Sequence, residues 1–484
     1  MVIIINSVII FVLMEKGWKF RMKKQRPIFI LIGVFIIILF TGLISIRQLR
    51  KERVPDESKT VFIKKTEKGY QLFRKGTPFY IQGASGDSHF RELTAIGGNT
   101  IRIFDTINIG NILNEALENN LAVIVDIPLP KFTKNYNFYI DDQNTTQLKQ
   151  RVKALVKKYN HHQALLMWNL GNEIRYPIVL ARARIMNSFN KSNYFQENQF
   201  IKVYNELLDM IHSEDPNHPV CTTLIATDDR KVPASIYLNS PKIDLISFNI
   251  FGRIKDYKYS STIINLLFGD KPYYLSEWGS DGHWECEITA WKAPIEPTSA
   301  KKAEQVKSRN QIMNERMDGS CLGNLVFYWG QKQEITHTWF SIFDDQGRKS
   351  QTYYELQHIW GNTTPHNFSA PPIRYMLIGK KGARDNLVFY PNEIRNAQIF
   401  LDGEPDSTLQ FNWEIYEEGW NYYGANAKQK RPNRISGCFV DANDSVVSFR
   451  VPSIEGPYRI FAYVYDKNGN FATTNAPFYV LDNK

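Results

Sequence analysis

The chain has 484 residues, 43% of them hydrophobic and 13% aromatic, so it is long enough for one large globular domain and a smaller one. Its net charge is +10, but residues 1–60 hold eleven Lys or Arg and four acidic residues and therefore carry +7 of that charge. Residues 61–484 carry the remaining +3 and contain no basic stripe, which argues against a nucleic-acid-binding protein.

An uncharged run from Pro27 to Ile46 is the first predicted element. It is long enough to cross a bilayer as a helix, and charged clusters bracket both of its ends. No small-residue cleavage pattern follows it, so we predict an uncleaved signal anchor at 27–46 and a polar linker at 47–60. Residues 1–26 are then a basic cytoplasmic segment, in which Met22 is an alternative start. The rest of the chain is expected outside the cytoplasm, in the periplasm or at the cell surface.

Strand-like apolar runs alternate with helical patterns between residues 61 and 368. A hairpin, Gly69–Ile81 with its turn at Arg74–Thr77, opens the region. Eight strands follow, predicted at Tyr80–Ala84, Asn99–Phe104, Ala122–Leu129, Ala164–Gly171, Val220–Ile225, Ile243–Phe251, Tyr273–Trp278 and Asn324–Trp329. Helices are predicted at Ile112–Asn119, Gln147–Lys158, Phe200–Ser213 and Thr298–Met317. Eight βα-like units predict a (β/α)₈ TIM barrel of the α/β class rather than an open doubly wound sheet.

The pattern changes at residue 369. Ala370-Pro371-Pro372 breaks the chain, and short alternating strands separated by turn residues replace the long helical periods. We predict a C-terminal β-sandwich at 369–484, either Ig-like or similar to a carbohydrate-binding module. Its aromatic residues could form a sugar-binding platform or simply its core: Trp413, Trp420, Tyr422 and Tyr423.

Two glutamates lie at the ends of predicted barrel strands. Trp168-Asn-Leu-Gly-Asn-Glu173 closes the fourth strand, and Ser276-Glu277-Trp278-Gly279 closes the seventh. Reactive groups of TIM barrels sit at strand C-termini, and a retaining glycosidase needs two carboxyl groups there, about 5–5.5 Å apart. Either glutamate alone would be an ordinary surface residue, but the pair at these two positions favours catalysis.

Glycosidic bond cleavage assigns a role to each candidate. Glu173 is the expected proton donor, since a neighbouring carboxylate and partial burial would raise its pKa. Glu277 is the expected nucleophile, kept ionised because Arg102 would lower its pKa. Asn172 is expected to bind the sugar 2-hydroxyl, and Trp329 to form an apolar floor under the cleaved sugar. The other predicted substrate contacts are Asn249, Trp278 and His337.

Several of these residues have a second interpretation. Arg102 could instead form an ion pair with Asp105 at the barrel mouth. Trp284, Trp291 and Trp339 follow the seventh and eighth strands, where they could stack on sugars or pack the loops. The histidines lack a second ligand at metal-like spacing and the four cysteines form no C-x-x-C pair, so we predict neither a metal nor a cofactor; one disulfide remains an open alternative.

The stretch from Gly69 to Trp360 resembles the TIM-barrel domain of glycoside hydrolase family 2 and its clan of retaining (β/α)₈ enzymes. The matching pieces are Asn99-Thr-Ile-Arg102, Trp168–Glu173, Ser276–Gly279 and Trp329. The resemblance implies an acid/base at Glu173 and a nucleophile at Glu277. The Gly-Asn-Glu and Ser-Glu-x-Gly patterns are also similar to those of fungal-type β-1,3-glucanosyltransferases, which are attached to membranes.

Two departures mark the chain as a divergent, stand-alone relative. The clan commonly has a tyrosine near the end of the sixth strand that touches the nucleophile, whereas this chain has Phe251, without a hydroxyl. Family 2 enzymes usually carry N-terminal β-domains, whereas here the predicted barrel follows the linker directly.

The predicted function is a membrane-anchored retaining glycoside hydrolase that acts on a β-linked polysaccharide or oligosaccharide by double displacement. Transglycosylation is an alternative, because it shares the glycosyl-enzyme intermediate. A non-catalytic glycan-binding or assembly protein of an exopolysaccharide system is another, suggested by the missing strand-six hydroxyl and by the membrane tether. The exopolysaccharide-synthesis machinery is then a candidate partner.

Overall fold

The structure, a computed structural model, describes Gly33 and residues 54–482 except 133–134, 180–190, 227–230, 257–270, 362–369, 404–406, 419–429 and 440–443. The predicted membrane span lies outside the described residues apart from Gly33, as do Met22, Trp420, Tyr422 and Tyr423. None of the helices in the described part of the chain is long and apolar enough to cross a membrane.

A small antiparallel sheet precedes the barrel. Its strands are β1 (Val61–Thr66), β2 (Gly69–Arg74) and β3 (Thr77–Phe79), and β2 and β3 form the predicted hairpin. Backbone hydrogen bonds tie it to barrel loops, from Val61 N to Asn217 O (3.0 Å) and from Tyr70 N to Gly319 O (2.7 Å). Val61 also packs with residues that begin the barrel strands, so this sheet closes the barrel at the end opposite its mouth.

Eight parallel strands close into a barrel, which confirms the predicted (β/α)₈ fold. They are β4 (Ile81–Gly86), β5 (Thr100–Ile103), β6 (Ala122–Ile127), β7 (Leu165–Asn172), β8 (Val220–Ile225), β9 (Leu245–Asn249), β10 (Tyr273–Trp278) and β11 (Cys321–Trp329). All six residues of β6 are buried, and only Asp126 interrupts its apolar run. Such runs are typical of parallel strands that are covered on both faces.

The described helices pack around the barrel. They are α1 (Phe90–Ala95), α2 (Ile109–Glu118), α3 (Asp142–Tyr159), α4 (Lys191–Glu214), α5 (Lys231–Asn239), α6 (Ser299–Arg316) and α7 (Gln351–Ile359), with 3₁₀ turns at Tyr136–Tyr139 and Gly252–Asp256. The four predicted helices correspond to α2, α3, α4 and α6. Capping residues help to explain where these helices begin. Asp141, for example, caps α3 by accepting a hydrogen bond from Asn144 N (2.9 Å). Sequence analysis missed α1, α5 and α7, which are too short to show a clear period.

Two sheets with a common core form the C-terminal domain, in line with the predicted β-rich region. The first has the order β12-β14-β17 and the second β13-β19-β18-β15-β16. The strands are β12 (Ile373–Ile378), β13 (Val388–Phe389), β14 (Ile394–Leu401), β15 (Gln410–Glu417), β16 (Arg434–Ile435), β17 (Val446–Arg450), β18 (Gly456–Tyr465) and β19 (Phe471–Val480), with a 3₁₀ turn at Ala383–Asp385. Trp413 is 1% exposed in the shared core, so it is not a surface platform for sugars.

A buried polar network joins the C-terminal domain to the barrel. Arg459 donates to the carbonyl of Pro294 (2.8 Å), and Asn475 donates to the Glu296 carboxylate (2.6 Å). Burial acts to raise the pKa of Glu296, but the ion pair with Lys302 (2.5 Å) outweighs it, and the net pKa is lowered. The two domains therefore share a specific interface rather than a bare linker.

Candidate active site

Both predicted catalytic glutamates lie at the mouth of the barrel, the end at which its parallel strands have their C-termini. Glu173 directly follows β7, and Glu277 is the penultimate residue of β10. Glu277 is only 7% exposed, whereas the side chain of Glu173 is 26% exposed. One carboxyl group is thus enclosed by protein, and the other is accessible from the mouth.

The backbone turns sharply where β7 ends. Gly171 has φ 85° and Glu173 has φ 52°, both in the left-handed region. A Cβ atom at Gly171 would lie 2.4 Å from the Cγ2 of Ile174, so glycine is needed for both its conformation and its space. A left-handed glutamate is uncommon, and such backbone strain is often found at functional sites.

Arg102 is the centre of the site and is fully buried. Its Nε and Nη2 donate to the two carboxylate oxygens of Asp126 (2.9 and 2.7 Å), and its Nη1 donates to Glu277 Oε1 (3.0 Å). Nη2 also donates to Asn172 Oδ1 (3.0 Å). The alternative partner Asp105 instead accepts a hydrogen bond from the backbone of Ile107 (2.8 Å), and Arg102 forms its ion pairs with Asp126 and Glu277.

Two amides extend this network to the second glutamate. Asn249 Nδ2 donates to Glu173 Oε1 (2.9 Å) and to Asn172 Oδ1 (3.2 Å), while Ser276 Oγ donates to Asn249 Oδ1 (2.8 Å). Since Asn172 Oδ1 accepts from both Asn249 and Arg102, its NH₂ group is the part that can donate to a sugar hydroxyl. A continuous hydrogen-bond chain therefore runs from Glu277 to Glu173.

The charge state of Glu277 differs from the sequence-based expectation. Burial raises the pKa of Glu277 to about 8, and Glu173 and Asp126 add to that increase, whereas Arg102 and Lys332 oppose it. Arg102 acts to lower this pKa, as the sequence predicts, but its effect is smaller than that of burial. The net pKa of Glu277 is therefore above its ordinary value, although Arg102 Nη1 lies 3.0 Å from Oε1.

Trp329 and Trp278 are not in the site, which corrects two predictions. The indole of Trp329 is fully buried, donates to the carbonyl of His89 (3.0 Å) and packs edge-on against Phe343 (5.1 Å between ring centroids). Trp278 is also fully buried and donates to Asn324 Oδ1 (2.8 Å). Both rings fill the barrel core, so neither has a face available to a sugar.

His337 is likewise absent from the site. Its Nε2 lies 2.6 Å from the hydroxyl of Tyr463 in the C-terminal domain, and its ring packs against Phe461 (4.8 Å). Burial lowers the pKa of His337 to about 4. It is therefore a neutral residue of the domain interface rather than a substrate contact.

The three loop tryptophans have different environments. Trp339 is fully buried and donates to the carbonyl of Asp281 (2.9 Å), and Trp291 packs against Tyr479 of the C-terminal domain (5.9 Å). Trp284, by contrast, is 54% exposed.

Sequence analysis missed three charged residues of the mouth. Asp126 was detectable in principle, as a lone acid within the apolar strand β6. Lys131 lies 3.7 Å from Glu173 Oε2, and Lys332 favours the ionised form of Glu277. Both lysines are on loops, where no sequence period indicates which strand end they approach.

Among the described residues, no cluster of three or more His, Cys, Asp or Glu is placed to hold a metal ion. All four cysteines, Cys221, Cys286, Cys321 and Cys438, are free thiols, so the disulfide left open by the sequence is not formed.

Solved glycosidases are similar to this chain in structure. For a Bacteroides uniformis β-glucuronidase the TM-score is 0.45 at 11% identity, over 87% of this chain and 48% of that one. A Ruminococcus gnavus β-glucuronidase gives a TM-score of 0.47 at 13% identity, over 64% of this chain and 54% of that one. For an endo-β-1,4-mannanase from Thermotoga petrophila the TM-score is 0.38 at 11% identity, over 84% of this chain and 98% of that one.

This chain thus spans about half of each of these two β-glucuronidases. No protein-family model matches the sequence, and no curated protein does. The function proposed below therefore rests on the side chains of the barrel mouth.

Proposed function

We propose that the barrel is a retaining glycoside hydrolase in which Glu277 is the nucleophile and Glu173 the acid/base. The hydrogen-bond chain that joins the two glutamates through Arg102 supports this proposal above all. It holds an enclosed carboxyl group and an accessible one in a fixed relation at the same barrel mouth. A retaining mechanism requires such a pair.

In the first step, a carboxylate oxygen of Glu277 attacks the anomeric carbon while Glu173 gives its proton to the glycosidic oxygen. The bond between that oxygen and the anomeric carbon breaks, the leaving sugar departs as an alcohol, and a glycosyl ester forms on Glu277. Asn172 donates to the 2-hydroxyl through its NH₂ group. Arg102 holds the attacking carboxylate in place.

In the second step, ionised Glu173 removes a proton from an incoming hydroxyl. The oxygen of that hydroxyl attacks the anomeric carbon, and the ester bond to Glu277 breaks, which restores both side chains. Water as the acceptor gives hydrolysis, and a sugar hydroxyl gives transfer. Both outcomes use the same residues, so product analysis distinguishes them.

Trapping the intermediate tests this proposal. A 2-fluoro β-glycoside that forms but does not release the ester should label the parent protein on Glu277, and the Glu277→Gln variant should stay unlabelled. Glu118→Gln, on the exposed face of α2, is the matched control and should be labelled like the parent. Labelling of Glu277→Gln, or no labelling of the parent by gluco, manno, galacto and glucurono probes, would contradict the nucleophile assignment.

A non-catalytic glycan-binding protein is the second candidate, and the raised pKa of Glu277 favours it. At neutral pH a carboxyl group with a pKa of about 8 is mostly protonated in the empty site and is then a poor nucleophile. This candidate predicts that defined β-glucans, mannans or galactans bind to the protein without turnover. Release of any product from the polysaccharide that binds would exclude it.

We further propose that the barrel is anchored in a membrane and lies outside the cytoplasm. The uncharged run at 27–46 and its basic flanks support this location. Fractionation of cells that express the full chain should place it with the membranes, and protease added outside the cytoplasmic membrane should cleave the barrel domain. An exopolysaccharide would then be an accessible substrate, and its synthesis machinery a nearby partner.

A further inference from the structure

Trp284 has no role in the reaction above, yet it is exposed at the barrel mouth. It lies on the loop that follows β10, the strand that carries Glu277, and 54% of it is exposed. An exposed tryptophan has a large apolar surface that gains free energy when it is covered. The loop begins at the C-terminal end of β10, on the side of the barrel where the proposed substrate binds.

The loop that carries Trp284 is held rigidly. Glu285 Oε2 accepts hydrogen bonds from the backbone N–H groups of Gly252 (2.9 Å) and Gly282 (3.2 Å). Asp281 pairs with Arg309 on α6 and accepts a hydrogen bond from Gln305 (2.5 Å). These contacts anchor the loop to the 3₁₀ turn Gly252–Asp256 and to α6, on both sides of the tryptophan.

The indole ring itself is fixed on one side. A Cβ atom at Gly282 would lie 2.4 Å from the indole atoms Cε2 and Cζ2, so the ring lies directly against the glycine backbone. Phe251 (5.3 Å) and His283 (4.8 Å) contact the ring edge-on. Since this ring is already positioned, binding a ligand on it would cost little additional side-chain entropy.

An unbroken series of aromatic contacts connects Trp284 with the catalytic network. The guanidinium of Arg102 lies 4.9 Å from the ring centroid of Phe104, which packs on Phe327 at 5.9 Å. Phe327 packs on Phe251 at 5.9 Å, and Phe251 packs on Trp284. The exposed indole is thus the outer end of a row of aromatic rings that begins beside Arg102, which positions Glu277.

We propose that Trp284 is the stacking platform of a second sugar-binding subsite. This subsite holds a pyranose ring adjacent to the sugar whose anomeric carbon is attacked by Glu277. A pyranose with axial hydrogens presents an apolar face, and an indole is the aromatic group best suited to cover it. The inference rests on the proposed function and narrows its substrate class. The substrate is an oligosaccharide or polysaccharide of β-linked pyranoses rather than a single sugar on a small leaving group.

The test compares substrates of different length. Trp284→Ala should lower kcat/KM for a β-linked hexasaccharide roughly tenfold, as expected for the loss of one apolar ring face, and leave the nitrophenyl glycoside of the same sugar unaffected. Trp284→Phe should restore part of the loss. Tyr390→Ala is the matched control, since Tyr390 is also 54% exposed but lies in the C-terminal domain. An equal loss on both substrates, or no loss on either, would overturn the inference.

A binding measurement separates this inference from the proposed function. Hexasaccharides of β-1,3-glucan, β-1,4-glucan and β-1,4-mannan are titrated into the Glu277→Gln protein, with and without Trp284→Ala. Weaker binding in the double variant supports the subsite even if the parent protein shows no turnover. Turnover by the parent with equal binding by both variants refutes the subsite and leaves the proposed function intact.

Discussion

Replacing Glu277 by glutamine should remove activity and at the same time stabilise the fold. Glu277 is 7% exposed and its pKa is raised from 4.5 to about 8, chiefly by burial. Its folded-state pKa lies above its unfolded-state pKa, so its contribution to stability is fully present below pH 4.5 and is lost as the pH rises through 8. Glutamine imitates the protonated acid and can still accept a hydrogen bond from Arg102.

The magnitude follows from the pKa difference. At pH 7 Glu277 is ionised in the unfolded chain but mostly protonated in the fold, which makes the fold less stable by about 3 kcal/mol than it is at pH 4, where the side chain is mostly protonated in both states. The free-energy difference between Glu277→Gln and the parent should therefore grow by about 3 kcal/mol from pH 4 to pH 7.

Urea unfolding of both proteins at several pH values measures this quantity. Steric effects of the substitution are the same at each pH and cancel in the comparison. Glu118→Gln reports what the loss of one exposed carboxyl group does by itself. A stability difference that stays flat or shrinks between pH 4 and pH 7 would refute the burial argument for Glu277.

Three further substitutions test other parts of the structure. Arg102→Met leaves two buried carboxyl groups without their cation and should lower the free energy of unfolding by about 3–5 kcal/mol. Urea titrations measure this loss, and Arg102→Lys should show an intermediate one. An unchanged urea midpoint for Arg102→Met would contradict the prediction. When the pH falls from 7 to 5, the free energy of unfolding of His337→Gln should rise by about 2 kcal/mol relative to that of the parent. The reason is that the folded-state pKa of about 4 lies below 6.5, so the unfolded parent binds the proton first. Gly171→Ala should lower the free energy of unfolding by about 1–3 kcal/mol, and by more than Gly76→Ala does. Both glycines have positive φ, but only a Cβ atom at position 171 would clash with Ile174. Equal losses at the two glycines would show that the contact with Ile174 is unimportant.

The barrel was predictable because its strands are buried on both faces. The strand β7 is buried at all but its last residue and begins with the apolar run Leu165–Trp168, which is visible without knowledge of its neighbours. Long helices such as α3 show their period for the same local reason. The short helices α1, α5 and α7 give too few turns to display one.

The site was predictable only in part. Arg102, Asn172 and Asn249 were found because each lies at the C-terminal end of a strand, and the barrel brings all such ends to one mouth. Trp329 satisfied the same criterion and is nevertheless buried, since position along a strand does not determine which way a side chain faces. Lys131 and Lys332 approach the glutamates from loops, whose course no periodic pattern records.

The sequence by itself determined the eight strands, the β-rich C-terminal region and the two glutamates at strand ends, since each depends on residues that are neighbours along the chain. Only the tertiary structure decided that Arg102 divides its charge between Asp126 and Glu277, and that His337 belongs to the domain interface. It also decided that Trp284, on the loop after β10, is exposed. Burial and electrostatic interaction act through space between residues far apart in sequence, so they exist only once the barrel has closed.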